Sequence, residues 1–271
     1  MSIVHNIITK SHFNFNDLNR VLLSHSEIKF ENRGENIFYY WINKKSTRGV
    51  NLSINEDSIE IKNTVLSNKH DYQLTNLLVS KILPLTNGTL INENEEQILS
   101  FPLFNDDKIA EIEIQDCKMI YYFTKDNNIT IYGPIRKVHF GKRLHEQFKK
   151  LNEEQLKNKM LDLIIEVNYR IPDYDYGDIM KMKKSKKDTM ILKLLTNRVN
   201  CIIDSYDFIL LNTSKEEPIV ITNDILNAIL PSKWELIDEY TIVAPILEQR
   251  EWAELLDNAK KHDMFNDFMS S

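Results

Sequence analysis

Glycine is scarce in this sequence, with six among 271 residues. No two glycines are separated by one residue or by four. A dinucleotide fingerprint requires G-x-G-x-x-G and a P-loop requires G-x-x-x-x-G-K-[ST], because only glycine lets the backbone close on a phosphate. The sequence therefore excludes both nucleotide-binding motifs.

Cysteine and histidine are also too few or too scattered to form a recognisable site. Two cysteines, Cys117 and Cys201, cannot supply a disulfide framework for a chain of 271 residues, so we expect reduced thiols. The seven histidines form no H-E-x-x-H, and there is no C-x-x-C. No G-x-S-x-G elbow marks a nucleophile either. We therefore expect no metal, no cofactor and no catalytic residues.

The sequence has no apolar run of the ~18 residues that a membrane span requires. Its first residues lack a charged leader followed by a long apolar stretch. These two observations predict a soluble, cytoplasmic protein that does not contact a membrane. The 28 Asn and 34 Ile beside only five Ala are the bias of AT-rich codons, which favours a low-GC bacterium or its phage as the source.

The sequence contains short segments with the periodicity of helices and others with the alternation of strands. Alternating apolar residues in the first 65 positions predict an antiparallel meander, and Ser67 or Asn68 begins a predicted helix with an exit signal at Asn87. Because of Pro84, we expect its last turn to be distorted or the helix to stop at Leu83. Residues 109–138 read as a second strand group, and 191–195 as a short helix. The pattern predicts an α+β protein of two sub-domains, residues 1–150 and 151–271, each a mostly antiparallel sheet covered by amphipathic helices.

Acidic residues are concentrated near the C-terminal end, where residues 201–271 hold 14 acidic and five basic side chains. Such asymmetry bears on partners and association rates. The leading hypothesis is a non-enzymatic protein-binding protein, an immunity protein or antitoxin-like inhibitor of a basic toxic enzyme. The predicted partner-binding residues are Glu235, Asp238, Glu239, Glu251 and Glu254. The simpler interpretation is that this charge only keeps the protein soluble.

An alternative hypothesis is a nucleic-acid-acting enzyme, or a nucleic-acid-binding component of a defence or processing system. Four cations flank Gly141, and a helix that begins there could bind an anion. The second basic segment spans residues 181–187. The predicted anion-binding residues are Arg136, Lys137, Lys142 and Arg143.

Overall fold

Strands from the first third of the sequence form one antiparallel sheet in the computed structural model, which describes residues 2–10, 15–183, 189–213 and 217–270. Ile59 and Ile61 alternate with half-buried polar residues, so one face of the sheet is apolar. The strands are β1 (Ile3–Ile8), β2 (Ile28–Gly34), β3 (Ile37–Ile42), β4 (Val50–Ile54), β5 (Ser58–Asn63) and β6 (Thr89–Ile91), in the spatial order β2-β3-β4-β5-β1-β6.

Two helices, α1 (Phe15–Leu23) and α2 (Lys69–Thr86), pack their apolar residues against this sheet. The predicted caps of α2 are confirmed at both ends. The Asn68 side chain accepts hydrogen bonds from the first turn, and Asn87 ends the helix in a left-handed conformation with φ of 46°. The helix continues through Pro84 to Thr86, so the predicted exit at Asn87 is confirmed and the alternative end at Leu83 is wrong.

Asp71, in the first turn of α2, is fully buried and joins the helix to the sheet. Its carboxylate accepts hydrogen bonds from the main-chain N–H groups of 47, 48, 49 and 68 and from the Thr47 hydroxyl, at 2.9 to 3.2 Å. A buried carboxylate is tolerated when its oxygens are satisfied in this way. The β3–β4 loop is therefore held against the start of α2.

The segment predicted as a second strand group begins instead with a long helix, α3 (Asp106–Phe123). The prediction was wrong because Ile112 and Ile114 alternate with glutamates over too few residues to define a period. The buried positions follow helical spacing over the whole segment: Ile109, Glu113, Asp116, Cys117 and Ile120. The hairpin that does form lies later and pairs β7 (Ile129–Tyr132) with β8 (Lys137–Phe140).

The chain divides into two units, residues 1–170 and 171–271. The helices α4 (Lys142–Phe148) and α5 (Glu153–Ile165), with the π-helical turn Glu166–Arg170, belong to the first unit. Helix α5 packs on α3, and Lys118 of α3 forms an ion pair of 2.6 Å with Glu153.

The second unit contains two small sheets and three helices among its described residues. One sheet has the order β13-β12-β10-β9, and the other has the order β11-β15-β14. The elements are β9 (Ile179–Lys183), β10 (Thr189–Leu195), β11 (Cys201–Ile203), β12 (Phe208–Leu211), β13 (Ile219–Ile221), α6 (Asn223–Ala228), β14 (Glu235–Leu236), β15 (Ile242–Ala244), α7 (Gln249–Lys260) and α8 (Phe265–Ser270). The prediction of an α+β fold with sheet sub-domains is confirmed.

Strand β10 corrects a second prediction, since residues 191–195 read as a short helix. Leu192 and Leu194 face one side of the sheet, where they contact the cluster under α8, while Leu195 packs into the core beneath α7. The strand pairs parallel with β12 and antiparallel with β9, so it lies inside the sheet, and most of its residues are buried although Ile191 is 39% exposed. An interior strand reads as a continuous apolar run, which periodicity alone does not separate from a helix.

None of the helices in the described parts of the chain has the length and apolar character that crossing a membrane requires.

His5 on β1 is a buried titratable group in the first unit. Its ring is 5% exposed, meets the Phe104 ring edge-on at 5.5 Å, and its Nδ1 has no hydrogen-bond partner among the described residues. Burial, together with the nearby Lys108 ammonium, lowers the pKa of His5 to about 4. The neutral imidazole is therefore the form that the folded unit accommodates.

We expect the first unit to lose stability between pH 6.5 and pH 4. In that range the unfolded chain, with an ordinary histidine pKa of about 6.5, binds a proton that the folded chain does not. Between pH 8 and pH 5, the free energy of unfolding of the wild type should fall by about 2 kcal/mol more than that of His5→Leu. Urea denaturation at both pH values measures this, with the exposed His25→Leu as control. An equal pH dependence in the wild type and the His5 variant would contradict it.

Candidate functional site

The net charge of the chain is carried by the second unit. Residues 1–170 contain 22 basic and 22 acidic side chains, whereas residues 171–271 contain 12 basic and 18 acidic ones. The second unit therefore accounts for the whole formal charge of −6. Excess charge of one sign on one unit creates a long-range field that attracts oppositely charged partners.

Helix α7 displays several of these carboxylates on its outer side. Leu255 and Ala259 are buried in the core of the unit, which turns the opposite face of the helix toward solvent. Glu251 is half-buried, and its carboxylate accepts a hydrogen bond of 2.8 Å from the main-chain N–H of Glu248. This bond satisfies one of the unpaired amides at the start of the helix. Glu254 and Asp257 are exposed about one and two turns further along the helix.

The segment leading into β14 lies against the start of α7. The Lys233 ammonium contacts Glu251 at 2.8 Å and Glu248 at 3.4 Å. These contacts lower the pKa of Glu251 and raise that of Lys233. The exposed Glu235 follows two residues later, so its carboxylate belongs to the same part of the unit.

We define the acidic surface as Glu235, Glu248, Glu251, Glu254 and Asp257. Arg250 pairs with Glu254 at 3.0 Å, and Lys233 pairs with Glu248 and Glu251. Among the described residues, Glu235 and Asp257 make no ion pair and no side-chain hydrogen bond. Five carboxylates against two cations leave the surface net negative.

Asp238 does not reach this surface, because it is 0% exposed. Its carboxylate accepts hydrogen bonds from the N–H groups of Tyr240 and Thr241, at 2.9 and 2.7 Å, and from the Thr241 hydroxyl at 3.0 Å. These bonds close the turn between β14 and β15, a typical use of aspartate. Glu239 in the same turn is half-buried. We therefore leave Asp238 and Glu239 out of the acidic surface.

The four residues predicted to bind an anion lie in different surroundings. Arg136 is 8% exposed, and its guanidinium donates to the main-chain carbonyls of Val167 and Asn168 at 3.3 and 3.4 Å. Lys137 extends beside the Tyr132 ring at 5.8 Å, Lys142 is exposed, and Arg143 is half-buried. Arg136 therefore donates hydrogen bonds to the main chain of its own unit. Lys142 and Arg143 lie in the first turn of α4, which is a short helix of seven residues.

The second basic segment is described only in part. Lys181 and Lys183 lie on the exposed strand β9, while Lys184, Lys186 and Lys187 lie outside the described residues. No group of three or more His, Cys, Asp or Glu in the described parts of the chain is arranged to hold a metal ion. Comparisons with protein-family models, with curated proteins and with solved structures find no match.

Asp257 and Lys233 are not among the residues that the sequence predicts for the partner-binding surface. Asp257 follows Glu254 by three residues, and this helical spacing was a usable signal for a shared face. No sequence signal links Lys233 to Glu251, because the two are brought together only by the packing of the β14 segment on α7. Contacts between elements distant in sequence depend on tertiary structure, which spacing alone does not predict.

Asp238 and Glu235 should respond differently to truncation. Asp238→Ala leaves two buried N–H groups and a hydroxyl without their acceptor, so we expect it to lower the free energy of unfolding of the second unit by about 2 to 4 kcal/mol. Glu235→Ala removes an exposed side chain and should change that free energy by less than about 0.5 kcal/mol. Chemical denaturation followed by tryptophan fluorescence measures both. Equal destabilisation by the two variants would show that this division of roles is wrong.

Proposed function

We propose that the chain is a non-enzymatic protein-binding protein and that its partner is basic and docks on the acidic surface of the second unit. The most specific form of the proposal is a bacterial immunity protein or antitoxin-like inhibitor, acting in the cytoplasm on a basic toxic enzyme. The observation that carries it is the placement of the net charge of the chain on the second unit, where Glu248, Glu251, Glu254 and Asp257 lie along or just before α7 and Glu235 lies two residues after Lys233.

Most of the acidic surface lies on a packed helix, which favours recognition of a specific partner. Four of its carboxylates lie on or at the start of α7, whose inner face is anchored by Leu255 and Ala259. A surface on a rigid helix loses less conformational freedom on binding than one on a loop. Its two cations contact Glu251 and Glu254 at 2.8 and 3.0 Å, so part of the charge pattern is paired within the unit itself.

Electrostatic attraction would act first on the rate of association. Complementary charge raises association rates, and the effect weakens with salt because the Debye length falls to about 8 Å at physiological ionic strength. Carboxylates without an ion pair, such as Glu235 and Asp257, gain most from a partner's cation, since no existing pair has to be broken. These two residues are therefore the strongest candidates for direct contact.

A nucleic-acid partner is the second candidate. The observation that favours it is the exposure of all five residues of β9, an edge strand that carries Lys181 and Lys183. Against it, the strand belongs to the unit with net negative charge, which repels phosphates at long range. We therefore rank this function below protein binding.

Charge reversal tests the proposal. One triple variant combines Glu235→Lys, Glu254→Lys and Asp257→Lys. We expect its rate of association with a cognate basic protein to fall by about ten-fold or more at low salt, and by less at ~150 mM salt. The matched control reverses Glu35, Glu56 and Asp126, which are exposed in the first unit and make the same change in net charge. Circular dichroism should be unchanged in both triple variants.

The partner is sought among basic proteins encoded beside this chain, by coexpression and copurification. Protection of cell growth is then scored with each variant. Equal association and protection by the two triple variants would remove the acidic surface as the interface. Tight binding of RNA or DNA by the wild type, lost when Lys181 and Lys183 are changed to Glu, would replace the proposal with the nucleic-acid function.

A further inference from the structure

Strand β9 forms one edge of the sheet with the order β13-β12-β10-β9, and among the described residues it pairs with β10 alone. All five of its residues are exposed. An edge strand presents main-chain donors and acceptors that can pair with another extended chain. The strand β9 is therefore open to pairing with a further strand.

The hydrogen bonds of β10 show which main-chain groups of β9 are already used. The Leu194 N–H donates to the Asp178 carbonyl at 3.0 Å, so residues 178, 180 and 182 direct their main-chain groups toward β10. The Ile191 carbonyl accepts instead from the Asp207 N–H, at 2.9 Å on the side of β12, which agrees with this alternation. The intervening residues of β9 therefore direct their main-chain groups away from β10.

The free edge thus carries the N–H and C=O groups of residues 179, 181 and 183. In the described parts of the chain no group donates to them or accepts from them. Their spacing of two residues is the spacing at which an antiparallel neighbour forms its hydrogen bonds. The edge therefore has three donors and three acceptors in the pattern that a strand recognises.

One face of β9 is apolar. Met180 and Met182 lie directly opposite Leu192 and Met190 of β10 in the antiparallel register. Leu192 and Met190 are buried in the cluster under α8, so the apolar side of the sheet continues to its edge, where Met180 is 48% exposed. Methionine side chains are flexible and adapt to varied apolar partners. This face favours apolar side chains on an added strand.

The other face of β9 is basic. Lys181 and Lys183 point to it, and within the described residues neither lysine forms an ion pair. Neighbouring strands lie ~4.8 Å apart, so acidic side chains on an added strand would lie directly opposite these ammonium groups. Because the Debye length is about 8 Å at physiological ionic strength, the charges adjacent to a bound segment outweigh the net charge of the unit. This face favours acidic side chains.

A second copy of the chain does not suit this edge. A two-fold dimer would pair β9 with its own copy in antiparallel orientation. In the register that overlaps all five residues, Lys181 lies opposite the same residue of the copy, and like charges in that position are destabilising. The lysines therefore oppose self-association and favour a segment of opposite charge.

A nucleic acid would use only part of this edge. Phosphates would contact the two lysines, but the methionines would stay exposed and the main-chain groups of the free edge would stay unpaired. The strand also carries no aromatic side chain on which a base could stack. A polypeptide strand uses all three features of the edge.

We propose that β9 binds an extended segment of a partner protein as an antiparallel fifth strand, and that acidic and apolar residues alternate along this segment. Its main chain pairs with residues 179, 181 and 183. Its acidic side chains lie beside Lys181 and Lys183, and its apolar side chains cover Met180 and Met182. The proposal does not rest on the acidic surface, which lies on other elements of the unit.

Calorimetric titration of the full chain with synthetic peptides tests the proposal. The probe has about eight residues, the length of a strand, in which glutamate and valine alternate. Its control has lysine in place of glutamate. We expect the glutamate peptide to bind about ten-fold or more tightly than the lysine peptide. Equal affinities of the two peptides, or no binding of the glutamate peptide, would overturn the proposal.

N-methylated peptides test the main-chain pairing. In the proposed orientation each glutamate lies opposite a residue of the free edge, so the glutamate N–H groups donate to β9 and the valine N–H groups face away. Methylating the glutamate N–H groups should weaken binding by about ten-fold or more, whereas methylating the valine N–H groups should leave it nearly unchanged. Equal affinities of the two methylated peptides would exclude pairing through the main chain.

Variants of the chain locate the binding. Lys181→Glu combined with Lys183→Glu should weaken binding of the glutamate peptide by about ten-fold or more. The control combines Arg198→Glu with Lys261→Glu, which makes the same change in charge at exposed positions of the same unit and should leave the affinity unchanged. Equal effects of the two double variants would place the peptide elsewhere.

Two further measurements test the other occupants. In sedimentation the wild type should show no dimer that Ile179→Pro abolishes; this substitution removes an N–H of the free edge at the first residue of the strand, where proline is tolerated. An oligothymidylate of about ten nucleotides should bind more weakly than the glutamate peptide. A dimer of that kind would make a second copy the occupant, and tighter binding of the oligonucleotide would assign the edge to nucleic acid.

Discussion

The first unit depends on the buried carboxylate of Asp71. Five hydrogen bonds reach it from two segments that are distant in sequence, the β3–β4 loop and the residue that caps α2. The Tyr39 hydroxyl donates to the carbonyl of Arg48, and the Tyr169 hydroxyl to that of Ser46, which ties this loop to β3 and to the end of the unit. Several groups that would be costly to bury are thus satisfied together.

Two further carboxylates accept hydrogen bonds from the segment that leads into α2. Asp116 accepts a hydrogen bond of 2.9 Å from the main-chain N–H of Leu66, and Glu113 accepts one of 2.6 Å from that of Lys69. Burial raises the pKa of both groups above its usual value. Leu66 has a φ of 65°, which costs energy in a residue other than glycine and is retained only where neighbouring contacts define it. Helix α3 thus supplies two of the three carboxylates that position α2.

Buried and exposed carboxylates therefore have different roles in this chain. Asp71 in the first unit and Asp238 in the second each close a turn by accepting main-chain N–H groups. Glu235 and Asp257 make no such contacts and face solvent. A charge count along the sequence treats all four alike, which is why it assigned Asp238 to a partner-binding surface. Burial is the property that separates them, and it depends on the tertiary structure.

Sequence patterns predicted the elements whose signals are local. The caps Asn68 and Asn87 bound α2 as expected, because capping is a contact between neighbours in the chain. The helix α3 was missed because its buried face includes Glu113 and Asp116, which a hydrophobic pattern does not count. The burial of Lys193, a β10 residue that is 1% exposed, has no local sequence signal, because its ammonium donates to the Tyr176 carbonyl of a segment distant in sequence.

Amide hydrogen exchange on Asp71→Asn tests most directly the claim that buried carboxylates organise this chain. Asparagine keeps the shape of the side chain but loses the charge and one acceptor oxygen, so the N–H groups of residues 47, 48, 49 and 68 should exchange about ten-fold or more faster than in the wild type. The exposed Asp57→Asn is the control and should change none of them. Unchanged protection of these four amides in the Asp71 variant would contradict the account.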